Sequence, residues 1–178
     1  MKIVVLTGSP HQFGTSFLMA EKFVKGAVTA GHKVFRFDTA FKKIHPCIGC
    51  DKCLCGKKPC VFQDDMTELY PKLVEADLVA YVTPLYYHSF SAQIKAAIDR
   101  YHGIDDLIRG TGKKSVLIVT AAYPEDWVFQ GITSTYETTL KYLGWQDNGR
   151  ILAFNCHGRS DIEGTNYPNQ SYELGRSL

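Results

Sequence analysis

No apolar run in this 178-residue chain approaches the roughly 20 residues that a membrane-spanning helix needs. Charge of one sign is also lacking. The 20 Lys and Arg nearly balance the 18 Asp and Glu, and a net +2 gives no reason to expect nucleic acid or an anionic membrane as partner. Internal repeats, low-complexity stretches and linkers are absent, so residues 1–178 read as one domain. The opening MKIVVLTG has four consecutive aliphatic residues before Thr7, too few for the core of a signal peptide. A cytoplasmic, reducing home is therefore expected. Cysteine is scarce outside one place: of six in the chain, five lie between Cys47 and Cys60. In a reducing compartment disulfides are rare, and clustered thiols point to metal or redox chemistry.

What is present alternates between strand and helix. KIVVL (2–6), KVFRF (33–37), DLVAYVT (77–83), KSVLIVTAA (114–122) and RILAFN (150–155) read as strands. Between them, Phe17, Ala20, Val24, Ala27 and Val28 recur at helical spacing, as do Ile94, Ala97, Ile98 and Tyr101 behind a cap at Ser91. Phe129, Ile132, Tyr136, Leu140 and Leu143 mark a helix stopped by Gly144, and a last helix is expected near 169–177. Asp65-x-x-Glu68 has the spacing of a capping box, and Pro71 soon after must kink that helix or mark its first turn. Five strands separated by helices imply an α/β fold, a parallel sheet covered on both faces. In such sheets ligands sit beyond the carboxyl ends of the strands, where the strand order reverses.

The loops after strands one and three therefore matter most. TGSPHQFGTS (7–16) is neither the G-x-G-x-x-G dinucleotide fingerprint nor a triphosphate loop ending in Gly-Lys-Ser/Thr. It sets four hydroxyls (Thr7, Ser9, Thr15, Ser16) and two glycines at a helix N-terminus, which is either a phosphate cradle or a plain helix cap. After strand three, Pro84 leads into Tyr86, Tyr87 and His88. Aromatic rings just past a strand's carboxyl end suit a flat conjugated ligand, or else pack the loop itself. On adjacent strands, the two loops together would hold the phosphate and the ring of one ligand.

GSPHQFGTS, P-x-Y…S-A-Q-x-K-x-x-I-D-R and DDM (64–66) resemble the flavodoxin-like NAD(P)H-dependent FMN reductases. The cysteine run is similar to that of the iron–sulfur flavoproteins within that group. The resemblance implies a flavodoxin-like five-stranded parallel sheet in the order 2-1-3-4-5, one FMN per subunit, and a homodimer or homotetramer in which a neighbour helps cover the flavin. It places Ser9, His11, Gly14, Thr15, Ser16 and Phe17 in the FMN phosphate loop. Pro84, Leu85, Tyr86 and Tyr87 then run along the isoalloxazine ring, with Thr120, Ala121 and Ala122 on its other side. Two departures stand out: TAAYPED lacks the glycines many relatives carry, and His11 stands where an arginine is common. Hydride passes directly from nicotinamide to flavin, so no catalytic side chain is expected. His88 reads as a packing or surface residue, and Asp99 and Arg100 as helix-surface or subunit contacts.

Cys47-x2-Cys50-x2-Cys53 has the spacing with which a tight loop wraps one cubane cluster, and Cys60 supplies a fourth thiol for a 4Fe–4S set. Cys55 is surplus. Structural zinc motifs usually separate two cysteine pairs by a dozen or more residues, which fits less well. Thiols with no cluster are the other alternative. Cys156, at the end of strand five, reads as a buried core thiol. Three functions follow. The first is an FMN-dependent oxidoreductase taking hydride from NAD(P)H and passing electrons to a flavin, quinone or other small acceptor. The second is an iron–sulfur flavoprotein fed by ferredoxin. The third is a zinc-stabilised binding module without redox activity.

Overall fold

A computed structural model describes residues 1–56 and 59–178; Lys57 and Lys58 of the cysteine run lie outside the described residues. Its centre is a five-stranded parallel sheet of β1 (Lys2–Thr7), β2 (Lys33–Asp38), β3 (Leu78–Pro84), β4 (Lys114–Thr120) and β5 (Gln146–Ala153). The strand order is β2-β1-β3-β4-β5, as the resemblance implied.

Alternation along the strands splits the core in two. Val4 and Leu6 of β1, Val79 and Tyr81 of β3, and Leu117 and Val119 of β4 face one side. There they meet Leu69 and Leu73 of α2 (Met66–Glu75), Ile94 and Ala97 of α3 (Ala92–Asp99), Ile108 of α4 (Asp105–Ile108), and Ile132, Tyr136 and Leu140 of α5 (Gln130–Leu143). Ile3 and Val5, Leu78 and Ala80, and Val116 and Ile118 face the other. That side is covered by Leu18, Met19 and Phe23 of α1 (Thr15–Thr29), Ile162 of α6 (Arg159–Glu163) and Leu174 of α7 (Tyr167–Arg176). Gly144 closes α5 in the left-handed conformation, as its place in the sequence suggests. Among the described residues no helix is long and apolar enough to cross a membrane.

Several details differ from expectation. β5 begins four residues earlier, at Gln146, because an edge strand pairs only with β4 and its first half can stay polar and exposed. β4 ends at Thr120, which leaves Ala121 and Ala122 in the loop beyond it. The capping box does not form: Asp65 is itself helical, and its carboxylate accepts the Lys43 N–H at 2.7 Å. Pro71 sits inside α2, past its first turn. Arg100 is not a surface residue but is 2% exposed beneath the cysteine run, whereas Asp99 is exposed and pairs with Lys95.

Candidate functional site

Three loops meet at the carboxyl edge of the sheet because β1 lies beside β3 and β3 beside β4. Gly8 brings the first two into contact. Its N–H donates to Val82 O at 2.9 Å, and its carbonyl accepts the Ser91 hydroxyl at 2.7 Å. A Cβ at residue 8 would sit 2.5 Å from Ser91 Oγ and 2.8 Å from Thr83 Oγ1, so only glycine permits this approach. Ser91 thus ties two loops together instead of capping α3 through its side chain. The first loop is also linked to the end of β4, by Thr15 Oγ1 and Thr120 Oγ1 at 2.9 Å.

The N-terminus of α1 is open. Gly14 is its cap residue, and no side chain caps the helix. Ser9 spends its hydroxyl on its own loop, accepting the His11 N–H at 3.1 Å, while Gly14 N–H donates to His11 O at 3.1 Å. Those bonds fold residues 9–14 into a tight turn. Among the described residues they leave the first-turn amides of Thr15, Ser16 and Phe17 without a capping group. Ser9 and Ser16 are buried and His11 is exposed. Sequence reasoning missed Arg36, whose guanidinium lies 4.0 Å over the Phe17 ring and pairs with Asp38 at 2.8 Å. It brings a guanidinium, paired with Asp38, beside the first turn of α1.

Beyond β3 and β4 lies a cavity of about 350 Å³, lined by Leu85, Tyr87, His88, Ala121, Ala122, Tyr123, Trp127 and Val128. Of the residues expected along a ring, Leu85, Tyr87, Ala121 and Ala122 line it; Pro84, Tyr86 and Thr120 do not. Pro84 and Thr120 are the last residues of β3 and β4, and Tyr86 opens a tight turn. Tyr86 and Ser89 exchange both backbone hydrogen bonds, and Tyr87 and His88 between them have φ of 45° and 63°. Left-handed backbone at both central positions is a type I′ turn, normally occupied by Asn-Gly, so two side chains here accept strain. The result holds Tyr87 fully exposed at the cavity. His88 is stacked on Trp127 at 5.1 Å, and its Nδ1 lies 3.1 Å from Val128 O. A carbonyl only accepts, so Nδ1 carries the proton. Tyr123 and Trp127 were missed, although the rule that singled out Tyr87 applies equally to aromatics just after strand four.

The cysteine run builds a second cavity, lined by Cys47, Cys50, Cys53 and Cys60 with Asp51, Phe62, Arg100, His102 and Gly103. Cys53 is buried, and Cys55 is exposed and outside the lining. Burial pushes the Cys53 thiol up, with added repulsion from Cys60 and Cys50, so these thiols sense one another. Gly49 and Asp51, between successive cysteines, have φ of 61° and 54°. Backbone of this handedness gathers N–H groups into concavities of the kind found at phosphate and iron–sulfur sites. Among the described residues no three His, Cys, Asp or Glu converge as they would around a single ion. Four thiol donors about one cavity, with a turn of this handedness, fit a cubane cluster by donor type and number. Cys156 is buried in the core beside α6, as expected.

The model of the NADPH-dependent FMN reductase family matches residues 1–128. An iron–sulfur flavoprotein from Archaeoglobus fulgidus is 39% identical over 100 residues, covering 56% of this chain and 45% of that protein. One from Methanosarcina thermophila is 36% identical over 104 residues, covering 56% and 52%. The chain spans about half the length of the curated relatives it matches. Among solved structures, an NAD(P)H:quinone oxidoreductase from Methanothermobacter marburgensis superposes with a TM-score of 0.75 at 19% identity, covering 99% of this chain and 96% of that one. An azoreductase from Bacillus anthracis gives 0.74 at 14% identity, covering all of both chains. At such identities the structural likeness speaks for the fold.

Proposed function

The chain belongs to the NADPH-dependent FMN reductase family, and from that premise we propose that it is an FMN-dependent oxidoreductase acting as a single flavin-binding domain. Its electrons come from NAD(P)H and go to a flavin, quinone or other small acceptor. The observation that carries this reading is the pairing of an uncapped helix N-terminus with an aromatic cavity, joined through Thr15 and Thr120. The amides of Thr15, Ser16 and Phe17, with the Thr15 and Ser16 hydroxyls and the positive end of α1, hold the FMN phosphate, and Ser9 fixes the turn that precedes them. Gly14 and His11 shape that loop. Leu85, Tyr87, Ala121, Ala122 and Trp127 enclose the ring, and Pro84, Tyr86 and Thr120 support their backbone.

When bound, the flavin supplies the hydride-accepting chemistry. The protein's own part is placement. Tyr87 offers a stacking face and the aromatic lining excludes water, while His88 is held by Val128 and Trp127 as part of the wall. No side chain is assigned as general acid. The open mouth leaves room for a flat acceptor or for a neighbouring subunit in a homodimer or homotetramer. A cytoplasmic setting suits thiols that stay reduced.

A second reading is favoured by the four thiols about one cavity. In it Cys47, Cys50, Cys53 and Cys60 hold a 4Fe–4S cluster, and ferredoxin is the donor. The two share one flavin site, whereas a zinc-stabilised non-redox module has no support from the family match.

Replacing Ser16 with Asp tests the flavin site. A carboxylate about 4 Å from the phosphate costs roughly 4 kcal/mol near a protein surface, or about a thousandfold in affinity. Riboflavin, lacking the phosphate, loses far less. Equal losses for the two ligands would place the phosphate elsewhere.

A further inference from the structure

The five cysteines of the run sit on irregular chain, and something must fix where that chain lies. Arg100, just past the end of α3, is the group that does so. Its Nη1 donates to His45 O and to Asp64 Oδ2, both at 2.8 Å, and its Nη2 donates to Asp64 Oδ1 at 3.3 Å. Its Nε donates to Tyr70 Oη at 3.2 Å. His45 precedes the first cysteine of the run and Asp64 follows the last, so one guanidinium grips both ends of the loop. The ends also hold each other: His45 N–H donates to Asp64 Oδ2 at 3.0 Å, and the His45 ring stacks on Phe62 at 4.8 Å. Arg100 and Asp64 are nearly inaccessible, with side chains 1% and 3% exposed.

Three residues on, Gly103 carries the middle of the loop. A Cβ there would sit 2.0 Å from the Pro59 carbonyl oxygen, immediately before Cys60. No shift of a flexible side chain can relieve a contact with backbone. Arg100 and Gly103 also line the thiol cavity themselves.

We propose that the Arg100–Gly103 segment is a positioning platform for the thiols: Arg100 clamps the two ends of the cysteine loop, and Gly103 seats Pro59 so that Cys60 reaches the cavity of Cys47, Cys50 and Cys53. The inference rests on the reading that these four thiols hold an iron–sulfur cluster. It adds residues outside the cysteine run that set the ligand geometry. Lysine cannot replace Arg100, because one ammonium cannot span a carboxylate, a carbonyl and a phenol in a fixed fork.

The test uses the full chain, reconstituted anaerobically with iron, sulfide and FMN, as wild type, Arg100→Lys, Gly103→Ala and Tyr70→Phe. Tyr70→Phe removes only the 3.2 Å bond to Arg100 and keeps the test open where a harsher change does not fold. A single cooperative thermal transition and FMN affinity within about twofold of wild type establish the folded variants. In these, release of iron to a chelator is expected to be about 10- to 100-fold faster for Arg100→Lys and Gly103→Ala, the usual cost of losing a group that orients metal ligands. It is expected to be several-fold faster for Tyr70→Phe, and the electron paramagnetic resonance of the reduced cluster should change shape. In metal-free protein, buried Cys53 should be alkylated more slowly than exposed Cys55 in wild type, and the difference should shrink in the variants. Wild-type iron release and alkylation in every folded variant would overturn the proposal. A wild type that takes up no iron and sulfide defeats the cluster reading instead. The alkylation pattern then decides the clamp by itself: lost Cys53 protection upholds it, and unchanged protection overturns it.

Discussion

At the carboxyl edge of the sheet, the groups that face a ligand hang from the ends of hydrogen-bonded strands. Leu85 and Ala121, which line the cavity, are where they are because β3 and β4 are paired in register to their last residues, Pro84 and Thr120. The cysteine run has no such frame: the described residues of 42–65 contain neither strand nor helix, and side-chain contacts hold them, chiefly at Arg100 and Gly103, with Lys42 paired to Glu68 and Asp51 to His102. Placement of the first site is inherited from the fold, while placement of the second depends on a few side chains. The two are joined through α3, whose N-terminal neighbour Ser91 touches the Gly8 loop and whose far end leads into Arg100. Eight helical residues, about 12 Å of helix, separate them.

The largest expected effect keeps the two sites apart. Cys50→Ala should abolish iron retention in anaerobically prepared protein and leave FMN affinity within about twofold, because the phosphate and ring groups lie on other loops. Iron and acid-labile sulfide analysis beside a flavin titration reads both. Loss of both cofactors together would mean the sites are built as one.

Acid should loosen the clamped loop before the strand-borne one. Burial alone would raise the Asp64 carboxyl, but hydrogen bonds from Arg100 and from the His45 amide prevail and hold it below the usual carboxylate range. A depressed carboxylate contributes stability that is present above its unfolded value, about 3.9, and is lost as pH falls through the folded value. Hydrogen exchange over residues 45–64 should therefore be unchanged between about pH 7 and 5 and lose protection as pH drops below about 4. Asp64→Asn, which leaves Arg100 buried without its partner, should cost about 3–5 kcal/mol and remove that pH dependence. Protection that falls steeply near neutrality would point to another group.

The smallest effect concerns strain at the ring cavity. Tyr87→Asn places a residue that tolerates left-handed backbone at the first central position of a type I′ turn. It should stabilise the protein by about 1 kcal/mol or less. No packing is lost, since Tyr87 is fully exposed. FMN affinity should fall several-fold with the stacking face gone. A lower melting temperature, or unchanged affinity, would show that Tyr87 is not held for a ligand.

The same contrast explains what could be read from sequence. Aliphatic runs such as KIVVL and VLIVT mark strands wherever both faces are buried, so the sheet and the loops at its carboxyl edge were legible. The polar first half of β5 was not, because an edge strand carries no such run. Leu85, Tyr87, Ala121 and Ala122 followed from resemblance and strand-end position, but the I′ turn that turns Tyr86 away from the cavity has no Asn-Gly to announce it. Arg100 was misread for a different reason. Its partner Asp64 lies 36 residues away, and a lone Asp-Arg at a helix end looks like any solvated pair until the chain is folded.

One titration tests the flavin site most directly: quenching of FMN fluorescence by anaerobically purified protein, with riboflavin in parallel. One FMN per chain should bind, with riboflavin weaker by at least about tenfold, the loss of one or more charge-assisted hydrogen bonds to the α1 amides. No saturable quenching by FMN, or riboflavin bound as tightly as FMN, would contradict a flavin held by its phosphate at the start of α1.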